Sequence, residues 1–543
     1  MQLFVAFVVA LSITAALIPL LARWAPAVGL TDAPGPRKVH SVPVPRVGGL
    51  AMAVGLLAPT LLTVDLTPEV RGLLLGLVVL LLFGLWDDRT ALDYRVKFAG
   101  QVLAVGLCMS VGGVHIGPIA FVSIDPLPHP LSMAITFVFL IGITNAINLA
   151  DGLDGLAGGM VLLCLCAIAL FAAASGNSTV TAIAFIEAGA VLGFLRFNTH
   201  PARIFMGDSG SQMLGFSVGV LAMLATQGET CPLSAALPLL LLGLPIMDTL
   251  TVMWTRVRAG RSPFSADRNH LHHRLLSLGF AHREAVLIIY MMQVALVLLA
   301  YFLRFESDAE VVLSFGAFAG LALGLLHWAS RSHWRLAPEA RDSPIRRHLN
   351  GFTTNRIPAL ALVVMTACLG IYAATVLASS HHVGTDLGLM CLGMLVVLLL
   401  LTTWRAERSL KLFERAAAYI SVVLLVYLDQ TMPHKPPLVT TLSWTCIAII
   451  GAAALTRFWL SPTRRFELTT LDLIVVFIAL VLPNLPGSVE WPADLPGGIA
   501  KAVILLYVVE MLLTIDLKRL MPRVFLCLTL ALIAGRAFIG IST

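Results

Sequence analysis

The chain has 543 residues, of which 58% are hydrophobic and only 12% charged, with a net charge of +6 and a mean hydropathy of +0.91. Soluble domains carry about 25% charged residues, so this composition excludes an ordinary soluble globule and implies a membrane protein. The modest basic excess suits loops at a membrane surface and gives no reason to expect a nucleic-acid partner.

Apolar stretches long enough to cross about 30 Å of hydrocarbon recur along the whole chain. Helices are expected at 3–22, 47–64, 71–86, 97–111, 131–149, 157–175, 179–197, 211–225, 234–255, 283–303 and 310–329. Seven more are expected at 357–377, 384–402, 416–432, 438–456, 467–483, 499–514 and 524–540. The fold class is therefore an all-α polytopic membrane protein of about 18 transmembrane helices, because lipid demands that each span satisfy its own backbone. No basic residue precedes the first apolar run, and Arg23 follows it. A cleavable signal has the reverse order, so this run reads as a retained helix with its N-terminus outside.

With these spans, alternate loops share a side. Of the 36 Lys and Arg, all but Arg71, Arg304, Lys435, Lys501 and Arg536 fall on one side. The positive-inside rule makes that side cytoplasmic. The polar stretch from His327 to Arg356 holds Pro338, Pro344 and six arginines. It divides a core at 1–330 from a basic cytoplasmic linker at 331–356 and a C-terminal membrane domain at 357–543. The eight cysteines show no CxxC or metal spacing and read as small buried hydrophobes.

The chemistry-bearing residues lie before the linker, on cytoplasmic loops and helix ends. The loop P-G-P-R-K-V-H carries Arg37, Lys38 and His40. The third span ends G-L-W-D-D-R with Asp87 and Asp88. The fifth runs N-A-I-N-L-A-D-G-L-D-G-L, with Asn145, Asn148, Asp151 and Asp154, the last two three residues apart and able to share a helical face. R-I-F-M-G-D-S-G-S contributes Asp208, and D-R-N-H-L-H-H-R contributes Arg268, His270, His272 and His273. Each segment alone has a plain structural reading: a solvated helix end, a glycine turn, a solvated histidine. Five on one side are harder to explain that way. Carboxylates and amides are hard ligands suited to Mg²⁺, glycines admit a phosphate to the backbone, and Arg and His offer countercharge for a diphosphate. These are the parts of a phosphoryl-transfer site.

Residues 1–330 resemble the polyprenyl-phosphate N-acetylhexosamine-1-phosphate transferases of the WecA type. The resemblance rests on D-x-P-x-x-R-K-x-H, the D-D pair, N-x-x-N-x-x-D-G-x-D-G-L, F-M-G-D-S-G-S and D-R-x-H-x-H-H, in that order. It implies an 11-helix transferase core. The implied reaction moves N-acetylhexosamine 1-phosphate from a UDP-sugar, first of all UDP-GlcNAc, to undecaprenyl phosphate, releasing UMP; another UDP-N-acetylhexosamine is the alternative donor. The resemblance also implies Mg²⁺, or Mn²⁺ in its place, held by Asn148 and Asp208. Asp87 is then the carboxylate serving the lipid phosphate, supported by Asp88. Asp151 and Asp154 become nucleotide contacts. His270, His272, His273 and Arg268 become phosphate or sugar contacts, and Arg37, Lys38 and His40 meet the lipid phosphate. It further implies a bacterial inner membrane, a cytoplasmic active site and a place at the start of cell-surface polysaccharide synthesis such as O-antigen. Membrane lipids, a second copy of the chain or a downstream glycosyltransferase are the expected partners. About seven C-terminal helices exceed what the resemblance requires and carry no matching motif. A transporter or flippase is the rival reading, but it would place acids at helix midpoints, whereas these acids lie at one interface.

Overall fold

The computed structural model describes residues 2–32, 43–117, 128–227, 231–262, 269–332, 356–379, 384–403, 407–430, 436–460, 495–514 and 520–539. Arg37, Lys38, His40, Arg268, nearly all of the linker and the helix expected at 467–483 lie outside them. Among the described residues, ten helices are long and apolar enough to cross a membrane. The chain is thus an all-α polytopic membrane protein. Two compact units are present, one within Met1–Pro338 and the other within Glu339–Leu468 and Val475–Thr543.

In the first unit the long helices are α1 (Gln2–Val28), α2 (Gly48–Thr63), α3 (Pro68–Thr90), α4 (Tyr94–Gly112), α5 (His129–Ala150), α6 (Leu156–Ala174), α7 (Ser178–Asn198) and α8 (Gly207–Thr226). They are followed by short α9 (Pro238–Leu241), α10 (Gly243–Arg258), short α11 (Leu271–Ser277), α12 (His282–Phe302) and α13 (Asp308–Arg331). Helix α8 is the most enclosed of the spans and packs against α2, α3, α5 and α6. Close approach there requires small residues. A Cβ on Gly84 of α3 would lie 2.3 Å from Ser209 Cα of α8, so glycine lets the two backbones touch where the site is built.

Two departures from the sequence reading have local causes. The single helix expected at 234–255 is broken at Leu242 into α9 and α10. Pro245 has no N–H to give Leu241 O, the i−4 partner it would otherwise bond. That carbonyl instead accepts from Gln293 Nε2 at 2.8 Å and from Cys164 Sγ at 3.1 Å. A two-stranded ribbon, unforeseen in so apolar a chain, pairs β1 (Thr31–Asp32) antiparallel with β2 (Val44–Pro45). Arg46 pairs with Asp32 at its base. The ribbon is stitched to the segment before α8, where Phe205 N donates to Pro45 O at 2.9 Å and Gly48 N to Phe205 O at 3.0 Å.

The second unit contains α14 (Arg356–Ser379), α15 (Thr385–Thr403), α16 (Glu407–Gln430), α17 (Pro437–Leu460), α18 (Leu495–Thr514) and α19 (Leu520–Ile539). Its main pairings are α14 with α17, α15 with α19, and α16 with α18. A buried ion pair joins the last two: Lys501 Nζ lies 2.6 Å from Asp429 Oδ2, with side chains 2% and 0% exposed. The Trp444 ring covers the ammonium at 4.8 Å, and Tyr372 Oη donates to the same carboxylate oxygen at 3.5 Å. Arg536 is outside this group and donates to Ala378 O at 3.1 Å.

Candidate active site

Asp87 and Asp88 end α3 and, as successive helical residues, point in different directions. Asp88 is buried and turns to α8, accepting Asp208 N at 2.9 Å, Ser209 N at 3.1 Å and Ser209 Oγ at 2.8 Å. Both of its oxygens are therefore committed to the N-terminus of that helix, where unpaired N–H groups and the helix dipole favour a carboxylate. Gly207 makes this fit. Its φ of +72° is left-handed, and a Cβ would lie 2.3 Å from Asp88 Oδ2. The support expected from Asp88 is thus positioning: it fixes Asp208.

Asp87 turns the other way. Leu92 N donates to its Oδ1 at 2.6 Å, and Lys97 Nζ lies 2.5 Å from Oδ2. The same ammonium is 2.7 Å from Asp208 Oδ2. Lys97 reaches this position because α4 starts immediately after a tight turn, with Asp93 accepting Arg95 N at 2.8 Å as its N-cap. Asn148 of α5 donates to Asp208 Oδ1 at 3.1 Å and to Ser211 Oγ at 2.7 Å. Behind it, Gln101 Nε2 donates to Gln212 Oε1 at 3.0 Å and to Asn145 Oδ1 at 3.3 Å. The C-terminal ends of α3 and α5 and the N-terminal ends of α4 and α8 therefore converge. Two carboxylates are drawn to one cation, with an amide against the second. This donor set fits a hard divalent cation at Asp208 and Asn148, with Asp87 beside it.

The D-G-L-D-G segment forms the turn between α5 and α6, so Asp151 and Asp154 do not share a helical face as the spacing suggested. Asp151 caps α5. Its carboxyl is pushed up to about 7 by burial, reinforced by the negative charges of Asp208, Asp88 and Asp154. Asp154 faces elsewhere: its Oδ2 accepts His200 Nδ1 at 2.6 Å and Ala202 N at 3.1 Å. The His200 ring stacks on that of His282 with centroids 4.1 Å apart.

The histidine segment starts α11. His270 is its N-cap and is held by Asp248 of α10: Nδ1 lies 2.9 Å from Asp248 Oδ2, and Leu271 N donates to Oδ1 at 2.7 Å. His272 is buried against the D-G-L-D-G turn, where a Cβ on Gly152 would meet its Nε2 at 2.3 Å. Burial, reinforced by the neighbouring His273, His270 and His282, pushes the His272 imidazole down to about 4. At pH 7 that favours the uncharged ring, which offers a hydrogen-bonding nitrogen to substrate rather than countercharge. The His273 ring lies 4.2 Å from that of His272.

Sequence reasoning missed Lys97, Gln101, Ser211, Asp248, His200 and His282. Lys97 and Gln101 carried a signal, since they are polar residues one turn apart at the head of an otherwise apolar helix. Asp248 also carried one, as the acid within the apolar run G-L-P-I-M-D-T-L. His200 and His282 carried none, because only tertiary packing brings them to Asp154.

Residues 70–226 match the family model described as glycosyl transferase family 4. A protein of Bacillus subtilis (strain 168), "Probable undecaprenyl-phosphate N-acetylglucosaminyl 1-phosphate transferase", is 36% identical over 298 residues, 53% of this chain and 82% of the relative. The decaprenyl-phosphate N-acetylglucosaminephosphotransferase of Mycolicibacterium smegmatis is 38% identical over 296 residues, 48% of this chain and 72% of the relative. The undecaprenyl-phosphate alpha-N-acetylglucosaminyl 1-phosphate transferase of Escherichia coli (strain K12) is 32% identical over 269 residues, covering 48% and 73%.

Proposed function

From the premise that the chain belongs to glycosyl transferase family 4, we propose that it transfers N-acetylglucosamine 1-phosphate from UDP-GlcNAc to undecaprenyl phosphate. A phosphate oxygen of the lipid attacks the sugar-bearing phosphorus. The P–O bond to UMP breaks, and the bridging oxygen leaves with UMP. The observation that carries this reading is the meeting of Asp87 and Asp208, from helices distant in sequence, at one cation beside Asn148.

The attacking oxygen is nucleophilic at neutral pH, so placement and charge neutralisation dominate the barrier. Asp208 and Asn148 would hold Mg²⁺, or Mn²⁺ in its place; when bound, the ion neutralises diphosphate charge. Asp88 keeps Asp208 turned towards Lys97 and Asn148 through the α8 backbone. Asp87 lies across from it, suited to receive a proton from the lipid phosphate or to orient it. Lys97 holds the two acids together, and its ammonium can pass to a phosphate oxygen when substrate enters. Asp151, which feels the charges of Asp208 and Asp154, would face the nucleotide diphosphate. The basic-loop asymmetry supports a cytoplasmic site in a bacterial inner membrane, and the product suits initiation of a cell-surface polysaccharide.

The test is UMP release by the purified chain in mixed micelles. Release should require undecaprenyl phosphate and a divalent cation, stop with EDTA, and be fastest with UDP-GlcNAc in a panel of UDP-N-acetylhexosamines. UMP release without the lipid, or none with any donor, would overturn the reading.

A further inference from the structure

The histidine segment is positioned by a carboxylate that belongs to neither the acid cluster nor the motif. Asp248 lies mid-way along α10, itself the second half of the helix that Pro245 breaks. It makes two contacts to consecutive residues of another element: Oδ2 to His270 Nδ1 at 2.9 Å, and Oδ1 to Leu271 N at 2.7 Å. The side chains of His270 and Asp248 are 6% and 13% exposed. Asp248 supplies the capping contact at the start of α11 that the N-cap residue, His270, does not make with its own side chain. Its other oxygen receives the ring N–H.

We propose that Asp248 is a positioning residue for the transfer, fixing both the start of α11 and the tautomer of His270, so that Nε2 of that ring is the atom offered to substrate. The inference rests on the transferase reading. A carboxylate can only accept, so Nδ1 carries a proton, and in the tautomer this fixes Nε2 presents a lone pair. Phosphate oxygens are acceptors as well. The matching substrate group is therefore a donor, a hydroxyl or the acetamido N–H of the sugar, and not the diphosphate. The adjacent contact of His272 with Gly152 links the same short helix to the D-G-L-D-G turn. One carboxylate thereby sets the distance between the sugar side and the nucleotide side of the site.

The test uses the full chain in micelles. In Asp248→Asn the amide oxygen still accepts Leu271 N, but its NH₂ faces Nδ1. The ring proton moves to Nε2, and the acceptor is lost. The kcat/KM for UDP-GlcNAc should fall about 10- to 100-fold, with thermal stability and UMP inhibition unchanged. His270→Asn keeps a donor for Asp248 and nothing at the Nε2 position, and should fall as far; His270→Gln, which reaches that position, should recover part of the activity. The double variant Asp248→Asn/His270→Asn should be no worse than either single. Wild-type kcat/KM in His270→Asn would overturn the proposal, whether or not Asp248→Asn folds. So would weakened UMP inhibition in either variant, which would put the ring on phosphate. No UMP release from the wild-type chain would instead defeat the transferase reading itself.

Discussion

At the residue scale, neighbouring acids do different work because their environments differ. Asp88 spends both oxygens on the backbone and hydroxyl at the start of α8, while Asp87 faces Lys97. Asp87→Asn should therefore lower kcat by at least about tenfold with the melting temperature unchanged. Asp88→Ala should lower stability by about 2 kcal/mol, through the lost cap and the buried N–H groups left unpaired. Thermal melts and steady-state kinetics on both variants check the split; a stable but inactive Asp88→Ala would contradict it. Asp151 gives a pH signature. Its native carboxyl titrates near 7 against an ordinary value of 3.8, so between those pH values the folded chain holds a proton that the unfolded chain has released. Stability then falls as pH rises through that window. In chelator, Asp151→Asn should melt close to wild type at pH 4 and clearly above it at pH 8, and a pH-independent difference would contradict the shift. The types of these residues were legible in the sequence. Their partners were not, because Asp88 and Ser209 lie 121 positions apart and no local pattern encodes that contact.

At the element scale, hydropathy located the spans well where one helix runs unbroken. All eleven stretches expected before residue 330 overlap a helix. It failed where backbone chemistry overrides apolarity. The run at 234–255 is apolar apart from Asp248 and a few hydroxyls, yet Pro245 breaks it, and the freed Leu241 carbonyl is satisfied by Gln293 from α12. The two-residue strands of the ribbon are too short to leave a period. The D-G-L-D-G segment falls between the helices expected at 131–149 and 157–175 and is a turn, with Gly155 at φ +79°, so the shared helical face that its acid spacing allowed does not form. Charge at helix ends was informative for the same reason that it is costly: a desolvated acid needs partners, and these helices supply them at one end of the bundle. The Asp429–Lys501 pair between α16 and α18 follows the same logic in the second unit. Lys501→Met, which strands a buried carboxylate, should cost about 3–5 kcal/mol, whereas Lys501→Met with Asp429→Leu should melt near wild type. Equal losses in the single and double variants would show that the pair contributes more than mutual charge compensation.

At the scale of the whole molecule, the active-site residues proposed here and the relatives' similarity concern the first part of the chain, residues 70–226 in the family match. We propose that 1–330 is a transferase core and 357–543 a separate membrane domain. Residues 1–345 should then express as a monodisperse protein that retains measurable UMP release. A well-folded but inactive truncation, rescued by co-expression of 350–543, would make the second unit part of the catalytic machinery. The central claim is narrower: the sugar moves together with its phosphate. UDP-GlcNAc labelled with ³²P on the sugar-bearing phosphate decides it in a single assay on the full chain with undecaprenyl phosphate. The label should appear in the butanol-extracted lipid, with unlabelled UMP released in equal amount. Label recovered in water-soluble UDP, with an unlabelled glycolipid, would show transfer of the sugar alone and contradict the account.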